Sequence, residues 1–274
     1  MGWSLDVICA SDDEKTLGPN DIHVWYRLTE SLDSFAIELA SASLSEQERS
    51  RSARLHSAYD RRDYTVAHDL VRRSLSWYSA VAPAQWQFSP GVSGKPCIRN
   101  PHPHFDDGDP SECRLAFSLS HARGIVACAV SRYALLGLDV ERLDRRVADK
   151  ELAGSYFSPR EIAALQACRE DEQATRFLEL WTLKEAALKA TGAGLSEPLS
   201  TVCFEFQADE AIVFSPVHGD AKSWHFGLFA PSGDTRMAVA VRSDDCESPR
   251  ISTRLAEGDA SFSIRPLRLS AGAA

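Results

Sequence analysis

Long hydrophobic runs are missing from these 274 residues. Uninterrupted apolar stretches such as Ile125 to Val130 fall far short of the roughly 20 residues that a helix needs to cross a bilayer, so no membrane span and no membrane partner are expected. Paired cysteines are missing too. The seven cysteines (Cys9, Cys97, Cys113, Cys128, Cys168, Cys203, Cys246) are odd in number, widely scattered and without a Cys-x-x-Cys pair, which speaks against both a disulfide framework and a zinc site. The start, Met-Gly-Trp-Ser-Leu-Asp, has neither the apolar core of a signal peptide nor the Ser or Thr that a myristoylation signal carries at position six. A cytoplasmic chain of enzyme size is the expectation. Positive charge is also in deficit: the net charge of −9 disfavours a protein whose main task is to coat nucleic acid or an anionic membrane.

What is present is ordinary for a folded protein. A hydrophobic share of 44% with 25% charged residues excludes wholesale disorder, collagen and coiled coil, and the length suits about two domains or one large one. The charge is uneven, however. Between Arg49 and Arg73 seven arginines face only Asp60, Asp63 and Asp69 among the aspartates, so a local anion site is possible inside an acidic chain.

Ile22 to Leu28 alternates as a half-buried strand should, with Ile22, Val24, Tyr26 and Leu28 on one face. Ser45 and Glu48 have capping-box spacing and open a polar, Arg-rich helix. A second helix follows from about Asp60, with Tyr64, Ala67, Val71, Leu75 and Tyr78 at helical spacing, and stops before Pro83. A Pro- and Gly-containing loop region, Pro90 to Pro110, comes next. Leu115 to Val130 reads as a hairpin whose return strand is buried on both faces, and Trp224 to Val241 repeats the pattern. Each hairpin lies downstream of a strong helix, which suggests two similar α+β halves. Between them, Leu138 to Glu141 continues a strand that begins near Ala134. Ser158-Pro159-Arg160-Glu161 is a helix start with N-cap, N1 proline and N3 glutamate, stapled by Phe157 and Ile162. A long helix runs from about Glu172 to Ala190 and ends at Gly192 to Gly194. The last thirty residues, rich in Ser, Ala and Arg, read as a weakly ordered tail.

Chemistry-bearing residues lie along this frame. Asp139 and Glu141, two apart on a strand, share one face; they suit either a solvated sheet face or a hard-cation site. On the helix at 177–190, Phe177, Trp181 and Leu188 supply a packing stripe, and Glu185 and Lys189 stand at i and i+4 beside Lys184. That pair reads either as an exposed helix ion pair or as a metal ligand with phosphate-binding lysines. Gly94-Lys95-Pro96 is a tight basic turn, and Ser120-His121 closes a strand.

In this order, these elements resemble the 4′-phosphopantetheinyl transferase superfamily, in its surfactin-type (Sfp-type) branch. The resemblance rests on Gly94-Lys95-Pro96, Phe117 to His121, Gly137-Leu-Asp139-Val-Glu141, Phe157 to Glu161, and Trp181 to Lys189 followed by Gly192-Ala-Gly194-Leu-Ser196. It is strong from about Ser45 to Pro198 and looser to about Arg242. It implies an α+β fold of two pseudo-symmetric halves, each an antiparallel sheet packed on a long helix: 1–133 for coenzyme A and carrier binding, 134–244 for Mg²⁺ binding and catalysis, with 245–274 as the tail and coenzyme A held between the halves. It also implies transfer of phosphopantetheine from coenzyme A to a serine of apo acyl, peptidyl or aryl carrier proteins, releasing 3′,5′-ADP. Asp139, Glu141 and Glu185 match the Mg²⁺ ligands, with Glu185 and Lys189 as catalytic residues. Lys95, Ser120, His121, Lys184 and Lys189 match positions that contact or orient phosphates, and Arg54, Arg61 or Arg62 should meet the 3′-phosphate of coenzyme A. A monomer with no nucleic-acid partner is expected. A non-catalytic carrier-binding relative is the alternative; a metal-dependent phosphodiesterase would share the acidic cluster but has no need for the Gly-Lys-Pro and Ser-His elements. The loop from Cys97 to Cys113, with its acidic run Asp106 to Asp109, has no assigned role.

Overall fold

A computed structural model describes residues 16–91, 94–99, 115–143, 154–192, 198–207, 211–216, 220–243, 249–256 and 266–270. The acidic run at 106–109 and the Gly194 to Ser196 end of the last motif lie outside the described residues. The chain divides into two compact units, Met1–Ala134 with Ile251–Ser263, and Leu135–Arg250 with Ile264–Ala274.

The first unit contains β1 (Asp21–Leu28), α1 (Ser34–Ala42), α2 (Glu46–Ala53), α3 (Ala58–Ser76), the short strands β2 (Phe88–Pro90) and β3 (Pro96–Ile98), and β4 (Ala116–Ala122) and β5 (Ile125–Ser131). Its main sheet has the order β11-β1-β5-β4, where β11 is Arg250–Leu255 near the far end of the chain. β5 pairs antiparallel with both β1 and β4, Ala129 lying opposite Val24 on one side and Ser118 on the other. All seven residues of β5 are buried, as its unbroken apolar sequence implies for a central strand covered on both faces. β1 departs from the half-buried expectation, because His23, Trp25 and Arg27 are buried along with Ile22, Val24 and Tyr26. Trp25 belongs to the core that α3 makes through Val66, Ala67, Leu70, Val71 and Leu75 against Phe117, Val126, Cys128 and Val130. Ser45 and Glu48 form the expected capping box at the start of α2. The Glu48 carboxylate also accepts from Arg72 at 2.7 Å and pairs with His68 at 3.0 Å, which ties α2 to α3.

The second unit repeats this plan. β6 (Leu135–Arg142), β9 (Trp224–Phe229), β10 (Thr235–Arg242) and β12 (Arg268–Leu269) form an antiparallel sheet of order β12-β9-β10-β6. α5 (Glu170–Thr191) packs on it, preceded by α4 (Pro159–Ala167), while β7 (Val202–Phe206) and β8 (Ile212–Pro216) form a separate hairpin. Ser158 and Glu161 make the capping box of α4, and Gly192 ends α5 in the left-handed conformation, φ 72°. Phe177, Leu180, Leu183 and Ala187 of α5 meet Phe226, Leu228, Ala238 and Ala240 of the sheet, and Phe204, Phe214 and Trp224 extend the cluster.

Each unit is therefore an antiparallel sheet on a long helix, the expected α+β plan. The tail at 245–274 is different from the expectation. Two of its segments, β11 and β12, are strands in the sheets of the first and second unit respectively, because backbone pairing to a preformed edge satisfies groups that composition alone leaves open.

Candidate active site

Three successive residues of one β6 face meet α5. Gly137 comes first. A Cβ there would lie 1.9 Å from the Ala186 carbonyl oxygen and 2.6 Å from the Ala190 nitrogen, so strand and helix backbones touch and only glycine fits. The period-2 pleat then puts Asp139 and Glu141 on the same face. On α5, Trp181, Glu185 and Lys189 follow at intervals of four, half-buried between fully buried neighbours, and this stripe faces the two carboxylates. Lys189 Nζ lies 2.6 Å from Asp139 Oδ1, and the Trp181 side chain is close enough to Glu141 to favour its charged form.

The electrostatics reflect this crowding. Burial and the neighbouring Asp139 charge push the Glu141 carboxyl up to about 7, with Glu185 adding to the rise and Lys189 and Trp181 opposing it. Glu185 is raised by the same two causes, burial first and Asp139 second. Three carboxylates against one ammonium leave an excess of negative charge in a poorly solvated place, and oxygen donors of this kind suit a hard divalent cation. Among the described residues, no group of three or more His, Cys, Asp or Glu side chains is arranged to hold a metal ion. By donor chemistry alone the oxygens of Asp139, Glu141 and Glu185 suit a hard cation such as Mg²⁺, but in this structure the cation that Asp139 meets is the ammonium of Lys189.

Lys184 is corrected by the structure. The resemblance places it among the phosphate contacts, yet its side chain is fully buried and paired with Glu161 at 2.9 Å, where both side chains are 0% exposed. Its Nζ also donates to the carbonyls of Leu199, at 2.9 Å, and Val202. Glu161 in turn accepts from the Ser158 and Phe204 backbone N–H groups at 2.8 and 2.9 Å. Every strong donor and acceptor of the pair is satisfied internally, so Lys184 pins α5 to α4 and β7 and has no free reach toward a ligand.

The first unit holds the remaining predicted residues. His121 is exposed and Ser120 buried at 6% exposure, the two pointing to opposite faces of β4. His121 follows Phe117 and Leu119 on the α3 side of the sheet. Lys95 sits at the tip of the β2–β3 hairpin, where burial lowers its pKa. Arg54 is exposed at the end of α2. Arg61 donates to the carbonyls of Leu55 and His56 at 2.7 and 2.9 Å, closing the α2–α3 connection. Arg62 bonds Asp63 through Nε at 2.9 Å, while its Nη2 is buried without a hydrogen-bond partner among the described residues. Of the three arginines, Arg62 is the one that combines confinement with an unused donor.

Comparison with known proteins decides the lineage. The model of the 4′-phosphopantetheinyl transferase superfamily matches residues 135–240. The 4′-phosphopantetheinyl transferase HetI of Nostoc is 34% identical over 184 residues, covering 66% of this chain and 73% of the relative. The chain belongs to the 4′-phosphopantetheinyl transferase superfamily. The transferase Sfp of Bacillus subtilis is another relative of this superfamily member, 30% identical over 166 residues, or 61% of this chain and 68% of Sfp. A solved holo-(acyl-carrier-protein) synthase from Bacillus anthracis, in complex with coenzyme A, aligns with a TM-score of 0.37 at 14% identity, over 41% of this chain and 98% of that one.

For the phosphopantetheinyl transferase superfamily, the matched segment of this chain spans β6 through most of β10. It therefore contains the whole carboxylate cluster together with Lys189. Three residues beside the expected ones carry no role in the sequence reading. Trp181 was counted as packing, though its spacing of four from Glu185 already placed it on the site stripe. Arg123 and Tyr59 were passed over, yet the Arg123 guanidinium lies 4.3 Å from the centre of the Tyr59 ring and that of Arg62 lies 5.3 Å from the same ring.

Proposed function

We propose that this chain transfers the 4′-phosphopantetheine arm of coenzyme A to the hydroxyl of a serine on an apo carrier protein, releasing 3′,5′-ADP. The observation that carries this reading is the cluster of Asp139, Glu141, Glu185 and Lys189 on the facing surfaces of β6 and α5, inside the segment matched by the family. The chain is an enzyme of that family, and the acceptors suited to the reaction are acyl, peptidyl or aryl carrier proteins.

The chemistry is a displacement at phosphorus. A new P–O bond forms between the serine oxygen and the β-phosphorus, and the bond to the bridging oxygen of the leaving 3′,5′-ADP breaks. Such a step needs alignment and charge neutralisation more than covalent help. Glu185, whose carboxyl is raised by burial and by Asp139, takes the serine proton, directly or through one water. Lys189 stands beside Asp139 and supplies an ammonium to the pyrophosphate oxygens. Asp139, Glu141 and Glu185 would hold Mg²⁺, which when bound neutralises charge on the pyrophosphate and the leaving phosphate. In the first unit, Lys95, His121 and Arg62 offer donors to the phosphates of coenzyme A.

Among the described residues no helix is long and apolar enough to cross a membrane; we read the enzyme as a cytoplasmic monomer without a nucleic-acid partner. The test of function is the intact mass of an apo carrier protein after incubation with the enzyme, coenzyme A and Mg²⁺. Gain of one phosphopantetheinyl group is expected. Folded enzyme that loads none of several carriers, yet binds them, would instead mark a non-catalytic carrier-binding relative.

A further inference from the structure

We propose that Asp63 is a positioning residue for coenzyme A binding: its carboxylate clamps the β4–β5 turn against α3 and so fixes where His121, Arg123 and Arg62 stand. The inference rests on the coenzyme A reading given above. Asp63 is buried at 3% exposure, and both of its oxygens are engaged by three different segments. Oδ1 accepts from the Thr29 hydroxyl just past β1 and from Arg62 Nε at 2.9 Å. Oδ2 accepts from the Gly124 backbone N–H at 3.0 Å.

The turn is held at its other polar group as well. The Gly124 carbonyl accepts from the Thr29 N–H at 2.8 Å, and Gly124 itself has φ +86°, a conformation that costs glycine little and other residues more. A two-residue turn locked at both N–H and C=O has little freedom. What it carries is the end of β4 with His121 and the exposed Arg123, whose guanidinium shares the Tyr59 ring with that of Arg62. One carboxylate thus links the two elements that bear the candidate phosphate donors. A site with its donors already in place loses less conformational freedom when an anion binds.

The proposal opposes a simple electrostatic expectation, which makes it decisive to test. Asp63 is a negative charge beside a candidate phosphate site. If its charge mattered most, removing it would tighten coenzyme A binding; if clamping matters most, removal weakens it.

The experiment compares coenzyme A kinetics of the wild-type enzyme, Asp63→Asn and Thr29→Val, with the carrier saturating. Asparagine keeps the size but presents an N–H₂ where one donor now finds an acceptor. Asp63→Asn is expected to raise the KM for coenzyme A about tenfold, the scale of a lost charge-assisted hydrogen bond, with kcat changed less than about twofold. The Gly124 amide should also exchange with solvent faster. Thr29→Val, which leaves the Gly124 and Arg62 contacts in place, should lower thermal stability without moving that KM. An Asp63→Asn enzyme with an unchanged or lower KM overturns the inference, as does Thr29→Val with the same KM rise. Should Asp63→Asn fail to fold, Gly124→Ala attacks the same clamp from the turn and is held to the same KM criterion. Wild-type protein that neither binds coenzyme A nor loads a carrier would overturn the underlying reading and this inference together. Active wild type beside an unmoved variant KM overturns this inference alone.

Discussion

Replacing Lys184 by methionine is the sharpest test of how the site helix is held. Methionine matches the length and much of the volume of the lysine stem, so little packing is lost against Phe157, whose ring centre lies 5.3 Å from Nζ. What is lost is the only cation paired with the Glu161 carboxylate among the described residues, at 2.9 Å and with neither side chain exposed. Leaving one partner of a buried pair uncompensated costs about 3–5 kcal/mol. For a chain of this size that corresponds to a fall in Tm of roughly 10 °C. Glu161→Gln in the same background removes the stranded charge, and its amide oxygen still caps Ser158 or accepts from Phe204. The double variant should therefore recover at least about half of the lost stability. Urea unfolding gives the stability of both variants, and coenzyme A titration at a temperature where each is folded gives the ligand readout. The dissociation constant for coenzyme A should move less than about twofold. A Lys184→Met protein as stable as wild type but with coenzyme A affinity lowered tenfold would refute the reasoning, because it would mean that the lysine leaves its buried pair to meet phosphate.

The other expectations are simpler. Gly137→Ala forces a methyl to within 1.9 Å of a helix carbonyl, so α5 must shift; a loss of about 1–3 kcal/mol with a much larger loss of transfer rate is expected by urea unfolding and carrier loading, and wild-type activity would show that the strand and helix need not touch. Glu185→Gln should leave the circular dichroism and Tm close to wild type while nearly abolishing transfer; near-normal turnover would remove Glu185 from its role. Glu48 gives the acid-stability prediction. Burial alone would raise its carboxyl, but His68, Ser45 and Arg72 together lower it from 4.5 to about 2. A depressed folded-state pKa stabilises the protein fully above 4.5, and this contribution fades as pH falls from there toward 2. Glu48→Gln should remove about 1–2 kcal/mol at pH 7, after allowance for solvent screening, and flatten the loss of stability between those two pH values in a denaturation series.

Local chemistry was the readable part of this sequence. Ser45 with Glu48, Ser158 with Glu161, and Gly192 announced helix ends because caps depend on a few adjacent residues, and each is found as expected. Helix α1 was missed, since nine residues with a single buried side chain, Ala40, carry little periodic signal. Glu161 was legible as a cap but not as the partner of Lys184, because that pairing depends on how two helices meet. Periodicity could have helped: Phe177, Leu180, Lys184 and Ala187 fall on one stripe, and its three apolar members already pointed inward. The grouping of Asp139, Glu141, Glu185 and Lys189 into a candidate site was accessible from the family's motif, whereas the Asp63 contacts join three segments remote in sequence and show only in three dimensions.

The placement of β11 and β12 has a bearing on how the protein is made. The backbone leaves the first unit after Ala134, returns to it with β11 and rejoins the second with β12, so neither unit corresponds to one continuous stretch of chain. A ribosome therefore cannot release a finished first unit while the second is still being synthesised. Each sheet lacks a strand until the final segments emerge, and β1 keeps an open edge for most of translation. Bisecting the gene near residue 134 would likewise yield two fragments with incomplete sheets, so complementation by separately expressed halves should demand that the last strands be supplied to both.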